Sequence, residues 1–322
     1  MDGNVLGTIG SPLVAVPGPA DATIAAKLDW MNPGGSAKDR PALYMVRAAE
    51  EAGRLEPGDR VVEPSSGNTG IGLAVVAAAL GYDLTVVMPR SKSPERRRLV
   101  AAYGADVELV DGDIDAARDR AEELATDTGA LQLSQFQNPA NVEAHYETTG
   151  AEILEQVGDR RIDAFVAAVG TGGTIMGAGR RIREAYPDVE LVGVEPAGNP
   201  ALSGEATGED RYEGMGPGFV SDLIDPDVID RVERVPFEDA VDECRRLATD
   251  AGLLVGQSSG AASLAACRTA NRLLGKPGED CPNLAATDGG SLRDPVADDG
   301  PLVVTVFPDG GERYLSTALF DG

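Results

Sequence analysis

Runs of consecutive apolar residues alternate along this chain with longer segments whose apolar positions recur every three or four residues. The runs fall at 22–30, 60–63, 84–88, 107–110, 131–133, 162–169, 191–194, 253–255 and 302–307, and predict strands. The periodic segments predict helices that begin near residues 37–39 and stop at Gly53, then span 68–80, 93–103, 114–125, 141–156, 174–186 and 237–250, with a last one after Gly260. Near-continuous apolar strands between amphipathic helices imply parallel sheet covered on both faces, an α/β architecture. Two stretches break the rhythm. Residues 197–227, rich in Gly, Pro and acids, have the length of a functional loop. Residues 275–300 are polar and Gly/Asp-rich and predict a surface insertion, disordered in part.

The 322 residues suffice for one large core or two modest ones, and 42% hydrophobic with 4% aromatic content suits an alanine- and valine-rich α/β protein. No apolar run is long enough to span a bilayer, and the opening Met-Asp-Gly-Asn-Val lacks signal-peptide features, so a cytoplasmic protein is expected. The formal charge of −25 argues against nucleic-acid and anionic-membrane partners, whose phosphates it would repel. The acids are spread along the chain, as in a halophilic protein whose self-repulsion is screened by concentrated salt. The three cysteines form no C-x-x-C pair, and Cys244 and Cys267 read as buried small hydrophobes. With one histidine in the chain, no His-rich metal site is expected, and His145 reads as a helix-face residue, not a catalyst.

Candidate chemistry lies in the turns that join strand to helix. Asn32-Pro33-Gly34-Gly35-Ser36-Ala37-Lys38-Asp39-Arg40 follows the first strand. Pro41 fits only in a first helical turn, so Lys38 stands at the positive end of a helix dipole, which favours a neutral amine. Such an amine can form a Schiff base with an aldehyde, although an ordinary surface lysine fits the same turn. Of 28 basic residues only four are lysines, at 27, 38, 92 and 276, so a lysine kept in this turn points to a need for its amine. Pro64-Ser65-Ser66-Gly67-Asn68-Thr69-Gly70 offers exposed N–H groups, hydroxyls and an amide to a carboxylate, or simply caps a helix. In Gly170-Thr171-Gly172-Gly173-Thr174 the glycines let successive N–H groups converge on one phosphate, or serve a structural turn. A dinucleotide fingerprint would need glycine in place of Ile175, and no Gly-Lys-Ser/Thr follows to make a P-loop. Gly256-Gln257-Ser258-Ser259-Gly260 opens another helix and, taken alone, reads as a cap. The basic run Ser93-Pro94-Glu95-Arg96-Arg97-Arg98 reads as a helix start with a solvated face, or as an anion site.

In this order, the motifs resemble those of the cysteine synthase family, pyridoxal-phosphate (PLP) enzymes of the two-domain α/β architecture called fold type II, or tryptophan-synthase-β-like. Pro33 to Arg40 is similar to the family's cofactor-lysine motif, with Ala37 where valine is usual. The resemblance implies PLP bonded to Lys38, with Asn68 at its ring oxygen, Gly170, Thr171, Gly172, Gly173 and Thr174 around its phosphate, and Ser258 at its pyridine nitrogen. A neutral hydroxyl there makes a weaker electron sink than an aspartate would, which suits β-elimination over transamination. It further implies that Ser65, Ser66, Asn68 and Thr69 grip the substrate carboxylate. Gln135, the first residue of Gln135-Phe136-Gln137-Asn138-Pro139-Ala140-Asn141, would help them, and Gly216 of Gly214-Met215-Gly216-Pro217-Gly218-Phe219 would line the site. Ser65 stands where the family has threonine, and Gln257 replaces a usual apolar residue.

The expected domains are a smaller, mobile, substrate-binding one at 33–141 and a larger PLP-binding one from 1–32 and 142–322, with the insertion outside the resemblance. The implied reaction is β-replacement: Lys38 removes the α-proton of O-acetyl-L-serine, acetate leaves, and sulfide adds to give L-cysteine. Small-domain closure would shield the site from water. A homodimer is implied too, and no metal. On the same scaffold a cystathionine β-synthase, using serine and homocysteine, or an O-phosphoserine sulfhydrylase remains open, the latter needing an extra cation in the pocket. A catalytically silent PLP-fold binding protein is the alternative of another class.

Overall fold

The protein is described from a computed structural model, which covers residues 3–320 except 66, 206, 207, 209, 210, 280–296 and 298. The described strands are β1 (Leu13–Val16), β2 (Thr23–Leu28), β3 (Arg60–Pro64), β4 (Asp83–Pro89), β5 (Asp106–Val110), β6 (Leu131–Gln132), β7 (Ala164–Ala168), β8 (Glu190–Pro196), β9 (Arg231–Val235) and β10 (Leu302–Phe307). They form two sheets. The larger has the order β1-β2-β10-β7-β8-β9, and the smaller has the order β5-β4-β3-β6. All pairings are parallel except β1 with β2. Every residue of β2 and β10 is buried, which is why these central strands read as unbroken apolar runs.

The main helices are α1 (Asp39–Glu51), α2 (Asn68–Leu80), α3 (Pro94–Ala102), α4 (Ile114–Thr128), α5 (Ala140–Ala144), α6 (Ala151–Gln156), α7 (Gly173–Ala185), α8 (Phe237–Ala251) and α9 (Gln257–Leu273). Apolar residues of α1 and α2 pack with β3 and β4 in one buried cluster, and those of α8 and α9 pack on the larger sheet in another. The helices expected at 68–80 and 93–103 stand within a residue of their predicted bounds.

Four readings differ. Residues 253–255 form no strand; Val255 is buried but bridges only Gly310, so the apolar run is a core-lining connection between α8 and α9. The last helix begins at Gln257, not after Gly260, because Gly256 is extended and Ser258 already lies in the first turn. The helix expected over 141–156 is broken in register: α5 and α6 flank a π-helical turn, His145–Gly150. Finally, β1 and β9 carried no strand signal. Charges interrupt β9 because it is an edge strand with one face in solvent. The predicted insertion at 275–300 lies largely outside the described residues. Among those described, no helix is long and apolar enough to cross a membrane.

Candidate active site

In open parallel sheets, ligands bind in the crevice beyond the carboxyl ends of the strands. Here the segments that follow β2, β3, β7 and β10 meet around a cavity of about 400 Å³. Lys38, Ser65, Asn68, Thr69, Gln135, Gly170, Thr171, Gly172, Thr174, Gly216 and Ser258 all line it. Gly173 lies beneath the surface of the cavity, against Asn141, and Ser66 falls outside the described residues. Motifs more than 200 residues apart in sequence are thus brought into one place.

Lys38 immediately precedes α1. Burial holds its amine below the ordinary lysine value, against the pull of the Asp309 and Asp29 carboxylates. Dehydration, not the helix dipole, is therefore the leading cause of the downward shift. Among the described residues the Lys38 amine has no hydrogen-bond or ion-pair partner. The helix start is held by a buried charge network. Arg40 reaches Asp29 at 2.9 Å and Glu152 at 2.6 Å, and Lys27 reaches Glu152 at 2.6 Å. Buried charges persist only when paired in this way.

The loop after β3 is tied to the end of the chain. Asn68 Nδ2 donates to Asp309 Oδ2 at 2.7 Å, while Asn68 Oδ1 accepts from Arg313. Tyr314 OH donates to the same Asp309 oxygen at 2.8 Å, and Asp309 Oδ1 is buried with no donor among the described residues. Both ends of the Asn68 amide are therefore engaged. Ser65 Oγ accepts from the Gly67 and Gly70 N–H groups at 3.3 and 2.9 Å, so it caps α2, with its own proton left to donate. Thr69 Oγ1 donates to Gln135 Oε1 at 2.6 Å.

Gln135 is positioned by a residue that the sequence reading passed over. Glu63, buried at the end of β3, accepts from the N–H groups of Leu133, Ser134 and Gln135 at 3.1, 3.0 and 3.1 Å. Ser134 has φ +59°, the one left-handed non-glycine residue among those described. Burial pushes the Glu63 carboxyl up to about 7, although the three N–H donors and Arg118 favour its charged form. The ionised carboxylate alone can accept all three bonds, and it is lost as pH falls through that value. If the Gln135 segment helps hold a substrate carboxylate, as the family resemblance implies, Glu63→Gln is expected to raise KM for that substrate about tenfold. The parent's KM is expected to rise on the acid side as Glu63 takes up its proton, and the glutamine variant's is expected not to. A KM equal to the parent's across the pH range would show that the turn holds itself.

In the loop after β7, Gly172 has φ +87°, and a Cβ on Gly173 would lie 2.0 Å from Asn141 Oδ1. Asn141 Nδ2 donates to Thr171 Oγ1 at 3.1 Å and to the Gln135 carbonyl at 2.8 Å, joining this loop to the Gln135 segment. Beyond it, α7 presents its first-turn N–H groups. Ser258, in the first turn of α9, lines the cavity with a hydroxyl that has no protein partner among the described residues.

Arg98 of the basic run is exposed, as a solvated face requires, but Arg96 is buried at 3% exposure on the cavity wall. It pairs with Glu213 at 2.7 Å and lies over the Tyr314 ring. Lys92 and Arg118 also line the cavity, Arg118 against the Phe136 and Phe219 rings. Cys244 is buried, its thiol donating to the Gly256 carbonyl. No metal-holding cluster occurs among the described residues.

Residues 6–281 match the family described as "Pyridoxal-phosphate dependent enzyme". The chain is 43% identical over 316 residues to the cysteine synthase of Staphylococcus aureus, covering 97% of this chain and 94% of that one. Among solved structures it is similar to an O-ureido-L-serine synthase, with TM-score 0.88 and 38% identity, over 100% of this chain and 96% of that one. It is also similar to a cysteine synthase of Entamoeba histolytica, with TM-score 0.89 and 32% identity, over 100% of this chain and 91% of that one. Matches of this length and identity leave one assignment for the two-sheet fold and its cleft: the chain belongs to the pyridoxal-phosphate-dependent enzymes of fold type II.

Proposed function

We propose that the protein is a cysteine synthase, converting O-acetyl-L-serine and sulfide to L-cysteine and acetate. The observation that carries this reading is the convergence on one cavity of a dehydrated lysine amine, a helix start suited to a carboxylate and a glycine loop suited to phosphate. The residues present fit PLP. The space beside Gly172 and Gly173 admits no side chain, α7 offers backbone donors to a phosphate, and the Ser258 hydroxyl, without a partner among the described residues, suits a pyridine nitrogen. Lys38 would hold the aldehyde carbon, the 170–174 loop the phosphate and Asn68 the neighbourhood of the ring oxygen. Bound there, PLP supplies the electron sink that acidifies the substrate's α-carbon and releases its β-substituent.

The chain's own residues do the rest. The α2 start, with Ser65, Ser66, Asn68 and Thr69, binds the substrate carboxylate, and Gln135 orients it. The Lys38 amine, its proton affinity lowered by burial, takes the α-proton. Residues 33–141, built around the smaller sheet, form the mobile domain that closes over the bound carboxylate and excludes water.

A second reading concerns the donor. O-phospho-L-serine needs an extra cation, and Lys92, Arg96 and Arg118 on the cavity wall could supply one. Comparing kcat/KM for O-acetyl-L-serine and O-phospho-L-serine, each with sulfide and with homocysteine, tests both readings. The primary one expects the acetyl ester with sulfide to be preferred by at least about tenfold. Equal or better use of the phosphate ester would transfer the assignment to the second.

The protein is read as a cytoplasmic homodimer of a salt-rich interior. The formal charge of −25 implies strong self-repulsion in dilute buffer. Its melting temperature is expected to climb steadily between about 0.1 M and about 3 M KCl, as the screening length falls below the spacing of surface charges. A flat or falling curve would count against the salt adaptation.

A further inference from the structure

His145, the chain's one histidine, sits in the π-helical turn between α5 and α6 with no exposed surface. π-turns are rare and concentrate at functional sites. This one packs closely on α7: a Cβ on Gly177 would lie 2.2 Å from the Val142 carbonyl oxygen and 2.8 Å from His145 Cβ. The imidazole is thereby wedged between two hydroxyls. Its Nδ1 lies 2.9 Å from Thr149 Oγ1, and its Nε2 lies 3.3 Å from Thr174 Oγ1. Thr149 is fully buried, whereas Thr174 is the last residue of the glycine loop and lines the cavity.

Burial pushes the His145 imidazole down to about 3, so the ring is neutral and carries one N–H. Two tautomers are possible. With the proton on Nδ1, Nε2 accepts the only proton of the Thr174 hydroxyl, which then has nothing to donate into the cavity. With the proton on Nε2, the ring donates to Thr174 Oγ1, Thr149 donates to Nδ1, and the Thr174 proton is free. A phosphate has acceptors only, so its presence favours the second arrangement.

We propose that His145 is a positioning residue for the phosphate cradle, donating from Nε2 to Thr174 Oγ1 so that the Thr174 hydroxyl donates to the phosphate of PLP. This rests on the reading that residues 170–174 hold that phosphate. The π-turn serves the arrangement by placing the Thr149 hydroxyl against Nδ1, to which it donates in the proposed tautomer.

The test uses the PLP-loaded protein labelled with ¹⁵N-histidine, whose spectrum contains a single imidazole. The Nε2–H tautomer is expected at neutral pH. Alongside it, affinity for PLP and for phosphate-free pyridoxal is measured in His145→Leu and His145→Gln. Leucine, which cannot donate, should weaken PLP about tenfold and leave pyridoxal unchanged. Glutamine, which can donate from a similar position, should stay within about threefold of the parent for both. An Nδ1–H tautomer in the PLP-loaded protein overturns the proposal, and so does a leucine variant that weakens both ligands alike or neither. If the leucine variant does not fold, the spectrum of the parent protein decides. A parent protein that binds no PLP removes the cofactor-site reading and this proposal with it; one that binds PLP with an Nδ1–H ring removes this proposal alone.

Discussion

Lys38→Ala is expected to lower turnover by about three orders of magnitude or more, with the fold intact. The amine is assigned two tasks, attachment of PLP and removal of the substrate α-proton, and no neighbour can assume them. Among the other three lysines, Lys27 is sealed in the ion network with Glu152, Lys276 pairs with Asp21 at the surface, and Lys92 lines the cavity from the segment after β4. Alanine there removes a side chain that has no protein partner among the described residues, so little stability is lost. Steady-state turnover with O-acetyl-L-serine and sulfide, beside a thermal melt, checks both halves of the statement. Turnover near the parent's would remove Lys38 from the mechanism.

Gly173→Ala is expected to weaken PLP binding by about a hundredfold and to destabilise the protein by about 2 kcal/mol. The new methyl would lie 2.0 Å from Asn141 Oδ1 and 2.8 Å from its Cγ, so the Asn141 side chain must leave its place. That side chain holds Thr171 Oγ1 and the Gln135 carbonyl together, so its displacement is expected to disorder the 170–174 loop and the Gln135 segment at once. Equilibrium PLP titration and the shift in melting temperature measure the two effects separately. A variant that binds PLP as the parent does would show that the loop tolerates the methyl by moving as a whole, and the cradle geometry would be wrong.

The turns that line the cavity were legible because they combine residues that local structure alone does not require. Lys38 beside Pro41 located the start of α1, and the span 68–80 for α2 coincides with the structure. Less could be read where tertiary contacts decide. Glu63 looks like any acid at a strand end until the chain returns 70 residues later to place three N–H groups on it. Arg96 shares a basic run with the exposed Arg98, and only the packing of α3 against Glu213 and Tyr314 turns it inward. Asp309 follows the last strand, and its hold on Asn68 spans 241 residues and has no local signature. The π-turn at His145 is invisible to periodicity, since its flanks continue the same helical pattern.

The most direct test of the central claim is an absorbance titration of the purified protein in concentrated salt, first with PLP, then with O-acetyl-L-serine, then with sulfide. The account predicts a yellow protein whose visible spectrum shifts on adding O-acetyl-L-serine and is restored by sulfide, with L-cysteine released in equal amount. A colourless protein that cannot be reconstituted with PLP, or a yellow one whose spectrum is indifferent to O-acetyl-L-serine, would contradict it.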